Sequence, residues 1–109
     1  LLGEASHAAG KVEREHMTWS APLALLLRAG VDAVRGHREP AVTKLTDAIA
    51  LLDTNEMFLY AAAARRRRGH LISGDAGATQ VADAEAWMRA HGVANPRRMS
   101  AMLVPGFRE

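Results

Sequence analysis

Apolar residues recur at spacings of three and four along almost the whole chain, the pattern of helices that each bury one stripe. Leu1, Ala5, Ala8 and Val12 mark a first stripe that runs to about Glu15, with Lys, Glu and Arg between them. A broader face follows in Leu23, Leu26, Leu27, Gly30, Val31 and Val34. Thr18 and Ser20 are both placed to cap that helix, Pro22 falls in its first turn, where a missing N–H does no harm, and Gly36 marks its end. Pro40 opens the next helix, with Ala41, Leu45, Ala48, Ile49 and Leu52 on one stripe and Asp53-Thr54-Asn55 breaking the pattern.

A second pair repeats the scheme. Met57, Tyr60, Ala61, Ala64 and Leu71 lie along one helix, the run Ser73 to Gly77 reads as its closing turn, and another helix is expected from about Ala78 to Ala90. Ala29 and Ala63 occupy matching places about 34 residues apart, the length of one tetratricopeptide unit. Asn95 then caps a short final helix with Pro96 at its first position and Met99, Met102 and Leu103 on one apolar edge. Arg97, Arg98, Ser100 and the Pro105-Gly106 stop are expected to give this end an outer surface that does not invite further stacking.

Composition narrows the class. The 109 residues suit one domain, and 49% hydrophobic residues suffice for a core, but only 5% are aromatic and Ala supplies much of the apolar count. Small side chains favour close helix packing over a sandwich or barrel, so the expected fold is all-α. No Cys means neither a disulfide framework nor a thiolate zinc site. No run reaches the roughly 18 to 20 apolar residues of a membrane span, and no signal-peptide pattern opens the chain. A cytoplasmic setting is therefore expected. The opening Leu1-Leu2, without an initiator Met, reads as the start of a piece cut from a longer chain. Fourteen basic residues against 12 acidic ones give a net charge of +2, well short of a dedicated nucleic-acid binder.

The most particular segment is Trp87-Met88-Arg89-Ala90-His91-Gly92-Val93-Ala94-Asn95-Pro96-Arg97-Arg98-Met99, followed by Pro105-Gly106-Phe107. With the Leu-rich helix from Leu25, the Met57-Phe58-Leu59-Tyr60 run, the arginine run and the Gly74-Asp75-Ala76-Gly77 turn before it, about three-quarters of the chain resembles a known type of sequence. This is the C-terminal tetratricopeptide-like helical region of large multidomain bacterial regulators, especially the eukaryotic-like serine/threonine protein kinases of myxobacteria. The resemblance implies antiparallel helix pairs stacked as a right-handed superhelical fragment of about five helices. It also implies that a kinase domain lies far upstream and that the helical array serves regulation or docking. The kinase motifs themselves are not in this sequence, so no catalytic role is carried over. Similar chains place an apolar residue where Arg68 extends the Met57-Tyr60-Ala61-Ala64 stripe, and Asp83 or Glu85 of the following helix is its expected partner.

Candidate chemistry is sparse. The five histidines, His7, His16, His37, His70 and His91, show no i, i+4 pair and no metalloprotease spacing, so no metal is expected. The serines lack a nucleophile-elbow context, and no cofactor motif is present. Arg65 to Arg68 carry enough charge to grip phosphate or an acidic partner, with Arg65 and Arg66 the named candidates, but four consecutive helical residues point around the whole circumference. An intramolecular or solvated role is the favoured alternative. Trp19, Phe58, Trp87 and Met88 are either partner anchors or core. In a superhelical stack the first helices of each unit line a concave groove, which makes Arg28, Asp32, Tyr60 and Arg67 the candidate peptide contacts.

The expected organisation is a single helical-repeat domain. Residues 1–16 end a preceding repeat, 17–53 and 54–92 are two helix pairs, and 93–109 form a capping helix and tail. The expected function is non-catalytic protein–protein interaction or regulation at the C-terminal end of a larger bacterial signalling protein, probed by a protein or peptide partner or by other domains of the same chain. An apolar face left exposed by the upstream cut is a possible homodimer surface. The alternatives are a small basic helical nucleic-acid binder and a purely structural spacer.

Overall fold

The computed structural model describes residues 20–107, so the helix expected up to Glu15, Trp19, and the histidines at 7 and 16 lie outside the described residues. Among the described residues the fold is all-α. Its five helices are α1 (Ser20–Val34), α2 (Arg38–Thr54), α3 (Phe58–Ile72), α4 (Gly74–Ala90) and α5 (Pro96–Leu103). Neighbouring helices run antiparallel: the start of α2 meets the end of α3, where Arg38 Nη2 donates to the Ile72 carbonyl at 2.7 Å. Among the described residues the two pairs match in helix length, 15 then 17 residues in each.

Three of the helices stop in the same way. At the end of α1 the His37 N–H reaches the Asp32 carbonyl at 2.8 Å and the Gly36 N–H reaches Ala33 at 3.1 Å. Met57 to Leu52 with Glu56 to Asp53 repeats this after α2, and Val93 to Met88 with Gly92 to Arg89 repeats it after α4. Each is a Schellman closure, which requires a left-handed residue just past the helix. Gly36 and Gly92 supply it without steric penalty, but Glu56 at φ 58° does so against the preference of an L-residue. Ser73, the single residue between α3 and α4, stands at φ 57° and ψ −169°, a region that is essentially glycine's own. Both side chains are exposed, so Glu56→Gly and Ser73→Gly should each raise stability by about 0.5–1 kcal/mol. The check is a higher urea midpoint at unchanged slope. A lower midpoint would show that these backbones relax without help.

The main core joins Leu26 and Ala29 of α1, Leu45, Ala48, Ile49 and Leu52 of α2, and Ala61, Ala63 and Ala64 of α3, with Leu23, Leu25, Met57, Tyr60 and Leu71 packed around it. A smaller cluster of Ala62, Met88 and Val93 lies under Leu59, Trp87 and Met99. Ala61 to Ala64 are all buried, so α3 is packed around more than one stripe at this point. Its neighbours α2, α4 and α5 crowd these four positions, and alanine is small enough to suit such a place four times running.

Gly77, expected in a break, is a packing notch instead, and Gly69 is its counterpart. The helix anticipated from Ala78 begins at Gly74, and Gly77 lies inside it. A Cβ on Gly77 would stand 2.4 Å from the Gly69 carbonyl oxygen, and one on Gly69 would stand 2.7 Å from that of Gly77. Backbone therefore touches backbone where α3 crosses α4. The C-terminal tail makes a similar contact at Gly30 of α1, where an added Cβ would meet the Pro105 carbonyl at 2.7 Å. Val104 is fully buried, and Phe107 packs on the main core. The tail thus returns to α1 rather than projecting outward. Asn95 caps α5 as expected, its side chain accepting from the Arg98 N–H at 3.1 Å with Pro96 at the helix start. Ser100, expected on the outer surface, is instead fully buried, and its hydroxyl donates to the Pro96 carbonyl at 2.8 Å.

Candidate functional site

The arginine run sits on the second half of α3, and each member is sent to a different neighbour. Arg65 pairs with Asp53 of α2. Arg66, 4% exposed, donates from Nε to Glu85 of α4 at 2.8 Å. Arg67, 1% exposed, places its guanidinium carbon 5.7 Å from the centre of the Phe107 ring in the tail, within the range of a cation–π contact. Arg68 donates from Nε to Gln80 of α4 at 2.8 Å and from Nη1 to Thr46 of α2 at 3.3 Å. Helical geometry makes this fan unavoidable, because successive residues are rotated by roughly 100°.

These placements revise the residues singled out in the sequence. Arg65 and Arg66 are both engaged by carboxylates of the same chain, Arg66 buried and Arg65 partly exposed. Of the two acids expected for Arg68, Glu85 is taken by Arg66 and Asp83 lies along the same groove, while Arg68 itself donates to the neutral Gln80 amide and Thr46 hydroxyl. Arg67 has no surface left for a peptide to touch. Asp32 is also buried and faces α2, where it pairs with Lys44, with His37 Nδ1 4.0 Å away. Its position is the α1–α2 seam, not a groove. Tyr60 is half-buried against the main core, and Arg28 is half-buried on α1. The four do not come together as one binding surface.

What the structure does bring together is a groove along the α3–α4 seam, an open cavity of about 360 Å³. From α3 it takes Phe58, Ala62, Arg65 and Arg68, and from α4 Gln80, Asp83, Ala84 and Trp87. Both sets follow helical spacing, and the antiparallel pairing sets Phe58 near Trp87 at one end and Arg68 at Gln80 at the other. The two alanines form a shallow floor. Phe58 is 47% exposed, a large apolar ring turned outward at the start of its helix. Trp87 is half-buried: it packs on the smaller core, and its ring stacks on His91 with centroids 3.9 Å apart and planes 18° apart. His91 is itself fixed, its Nδ1 2.8 Å from the Trp87 carbonyl, which can only accept. Trp87 is therefore held in orientation from below and from one side. Met88 belongs wholly to the core.

The electrostatics of the groove are uneven. Arg65 has its carboxylate in Asp53, whereas both acceptors of Arg68 are neutral. Burial first, and the adjacent Arg65 charge second, lower the Arg68 pKa from its ordinary value. Phe58 and Trp87 were named in the sequence as possible anchors, but their alignment across two helices depends on the register in which α3 and α4 pack. Gln80 carried no sequence signal at all. Among the described residues no cluster of three or more His, Asp or Glu side chains could hold a metal, and no helix is long and apolar enough to cross a membrane. The chain matches no protein-family model, no curated protein and no solved structure.

Proposed function

We propose that this chain is a non-catalytic protein-interaction module whose contact surface is the groove between α3 and α4. The observation that carries the reading is the outward-facing Phe58 opposite a Trp87 already immobilised by His91, above an alanine floor. Aromatic side chains held rigid before binding lose little entropy on contact, which is why they dominate interface energetics. The internal use of Arg65, Arg66 and Arg67 supports the same reading over a nucleic-acid binder, since it removes most of the charge that a phosphate backbone would need. Paired antiparallel helices of matching length agree with a tetratricopeptide-like stack. The resemblance of the segment from Trp87 to Phe107 supports a place at the C-terminal end of a larger bacterial signalling protein of the serine/threonine kinase type, as its docking or regulatory arm.

The test is selection of random twelve-residue peptides displayed on phage against the immobilised chain, followed by counter-screening on Phe58→Ser. Phe58 is half exposed, so this change should leave stability within about 0.5 kcal/mol while weakening selected peptides at least tenfold. Peptides that bind the Phe58→Ser chain as well as the original would remove the groove from the function.

A further inference from the structure

The groove has a direction. Its aromatic end at Phe58 and its cationic end at Arg68 are ten residues apart on one helix, roughly 15 Å at 1.5 Å per residue. The long arginine side chain shortens that span to about 10 Å, the reach of three extended residues. At the cationic end the charge balance is incomplete. Arg65 is neutralised by Asp53, but Arg68 gives its hydrogen bonds to the Gln80 amide and the Thr46 hydroxyl. A part-buried guanidinium makes its strongest bonds to a carboxylate, often two at once, and the amide oxygen of Gln80 supplies one neutral acceptor in that position. Asp83 stands midway along the rim, so an acid placed there is repelled, and one placed at Arg68 is not.

We propose that the occupant of the groove is an acidic peptide segment of a protein partner, with a large apolar side chain between Phe58 and Trp87 and a carboxylate about three residues further on that replaces Gln80 as the acceptor for Arg68. This rests on the reading of the groove as an interaction surface and adds what it selects. The middle of the segment, beside Asp83, carries no acid. Displacement of Gln80 also gives binding a local reporter, because its freed side-chain amide changes environment together with the Trp87 indole.

The experiment is a ¹⁵N-edited NMR titration of the full chain with the peptide acetyl-Phe-Ala-Ala-Glu-amide and with the same peptide carrying Gln in place of Glu. The Glu peptide should shift the Trp87 indole and Gln80 amide signals together and bind about five- to tenfold more tightly than the Gln peptide, an advantage that falls as salt is raised. Arg68→Leu should bring the Glu peptide down to the level of the Gln peptide, and Arg68→Lys should keep part of the preference. Asp83→Asn should strengthen the Glu peptide about twofold. Equal affinity of the two peptides for the intact chain, or a preference that survives Arg68→Leu, overturns the proposal. If phage-selected peptides still depend on Phe58 in that case, the interaction surface stands and only its acidic selectivity falls. If neither Trp87 nor Gln80 moves with any peptide and selection ignores Phe58, both fall together.

Discussion

Gly77→Ala is expected to destabilise the chain by about 2–3 kcal/mol, although alanine is the better helix former by nearly 1 kcal/mol. The reason is geometric. The new Cβ would stand 2.4 Å from the Gly69 carbonyl oxygen and 3.4 Å from its carbon, and both are backbone atoms that cannot rotate aside as a side chain would. The helices must move apart by most of an ångström, and every contact along the seam loosens with them. Thermal denaturation should show a fall in Tm of roughly 10–20 °C for a domain of this size. Gly92→Ala makes the informative control, because its Cβ meets nothing within 4 Å and its cost comes only from the left-handed backbone at φ 90°. That variant should lose about 1 kcal/mol. Equal losses at the two sites would refute the close crossing. Gly69→Ala should resemble Gly77→Ala, and the double variant should lose less than the sum, since one separation of the helices relieves both clashes.

The same crossing bears on the groove. Gly69 is the residue after Arg68, so the helix spacing set at Gly69 and Gly77 also sets how far Arg68 must reach to Gln80. A chain carrying Gly77→Ala should therefore bind groove peptides less well even at temperatures where it remains folded. Under the proposed reading, stability and recognition share one structural device, namely two glycines that let a pair of helices approach closely at the cationic end of the seam.

How far this could be read from sequence depends on the residue. The stripe Ala41, Leu45, Ala48, Ile49 and Leu52 is spaced as a helix face and is buried as one, because α2 meets both α1 and α3 along that face. Gly36 and the Asn95-Pro96 pair were equally legible, since each has one local conformation that it serves best. Gly77 was not. In a sequence, a glycine that opens a turn and a glycine that admits a neighbouring backbone look alike, and Gly74 nearby does mark a turn at φ 65°. The length of α4 was misjudged for that reason. The arginine run shows a similar limit: that four consecutive residues must diverge follows from helix geometry, but which partner Arg65, Arg66 and Arg68 each meet depends on the register of α2 and α4. The burial of Arg67 was invisible because its cover is the ring of Phe107, 40 positions further along, brought back by a tail that the sequence had suggested as an outward-facing end. The groove followed the same logic, since Phe58 and Trp87 become partners only once the antiparallel register of α3 and α4 is known.

Glu85→Ala should cost about 2–3 kcal/mol, well above what a surface ion pair contributes. Arg66 is 4% exposed and its Nε donates to Glu85 at 2.8 Å, so the charge on α3 loses a carboxylate in a place where water is scarce. Glu85 also lies 3.7 Å from Arg89 one turn along α4, but Arg89 is largely exposed and loses little when the acid is removed. Glu85→Gln should fall between the two, because it keeps an acceptor while giving up the charge. The decisive variant is Arg66→Met combined with Glu85→Ala. Replacing both partners of a buried pair removes the need to solvate either, so the double change should recover at least half of the loss seen in Glu85→Ala alone. Urea unfolding of the four chains provides the cycle. Strict additivity would mean that Arg66 and Glu85 do not interact. Coupling of about 1 kcal/mol or more would establish that part of this run, conspicuous in the sequence as a possible phosphate grip, holds α3 to α4 and so maintains the seam on which the groove is built.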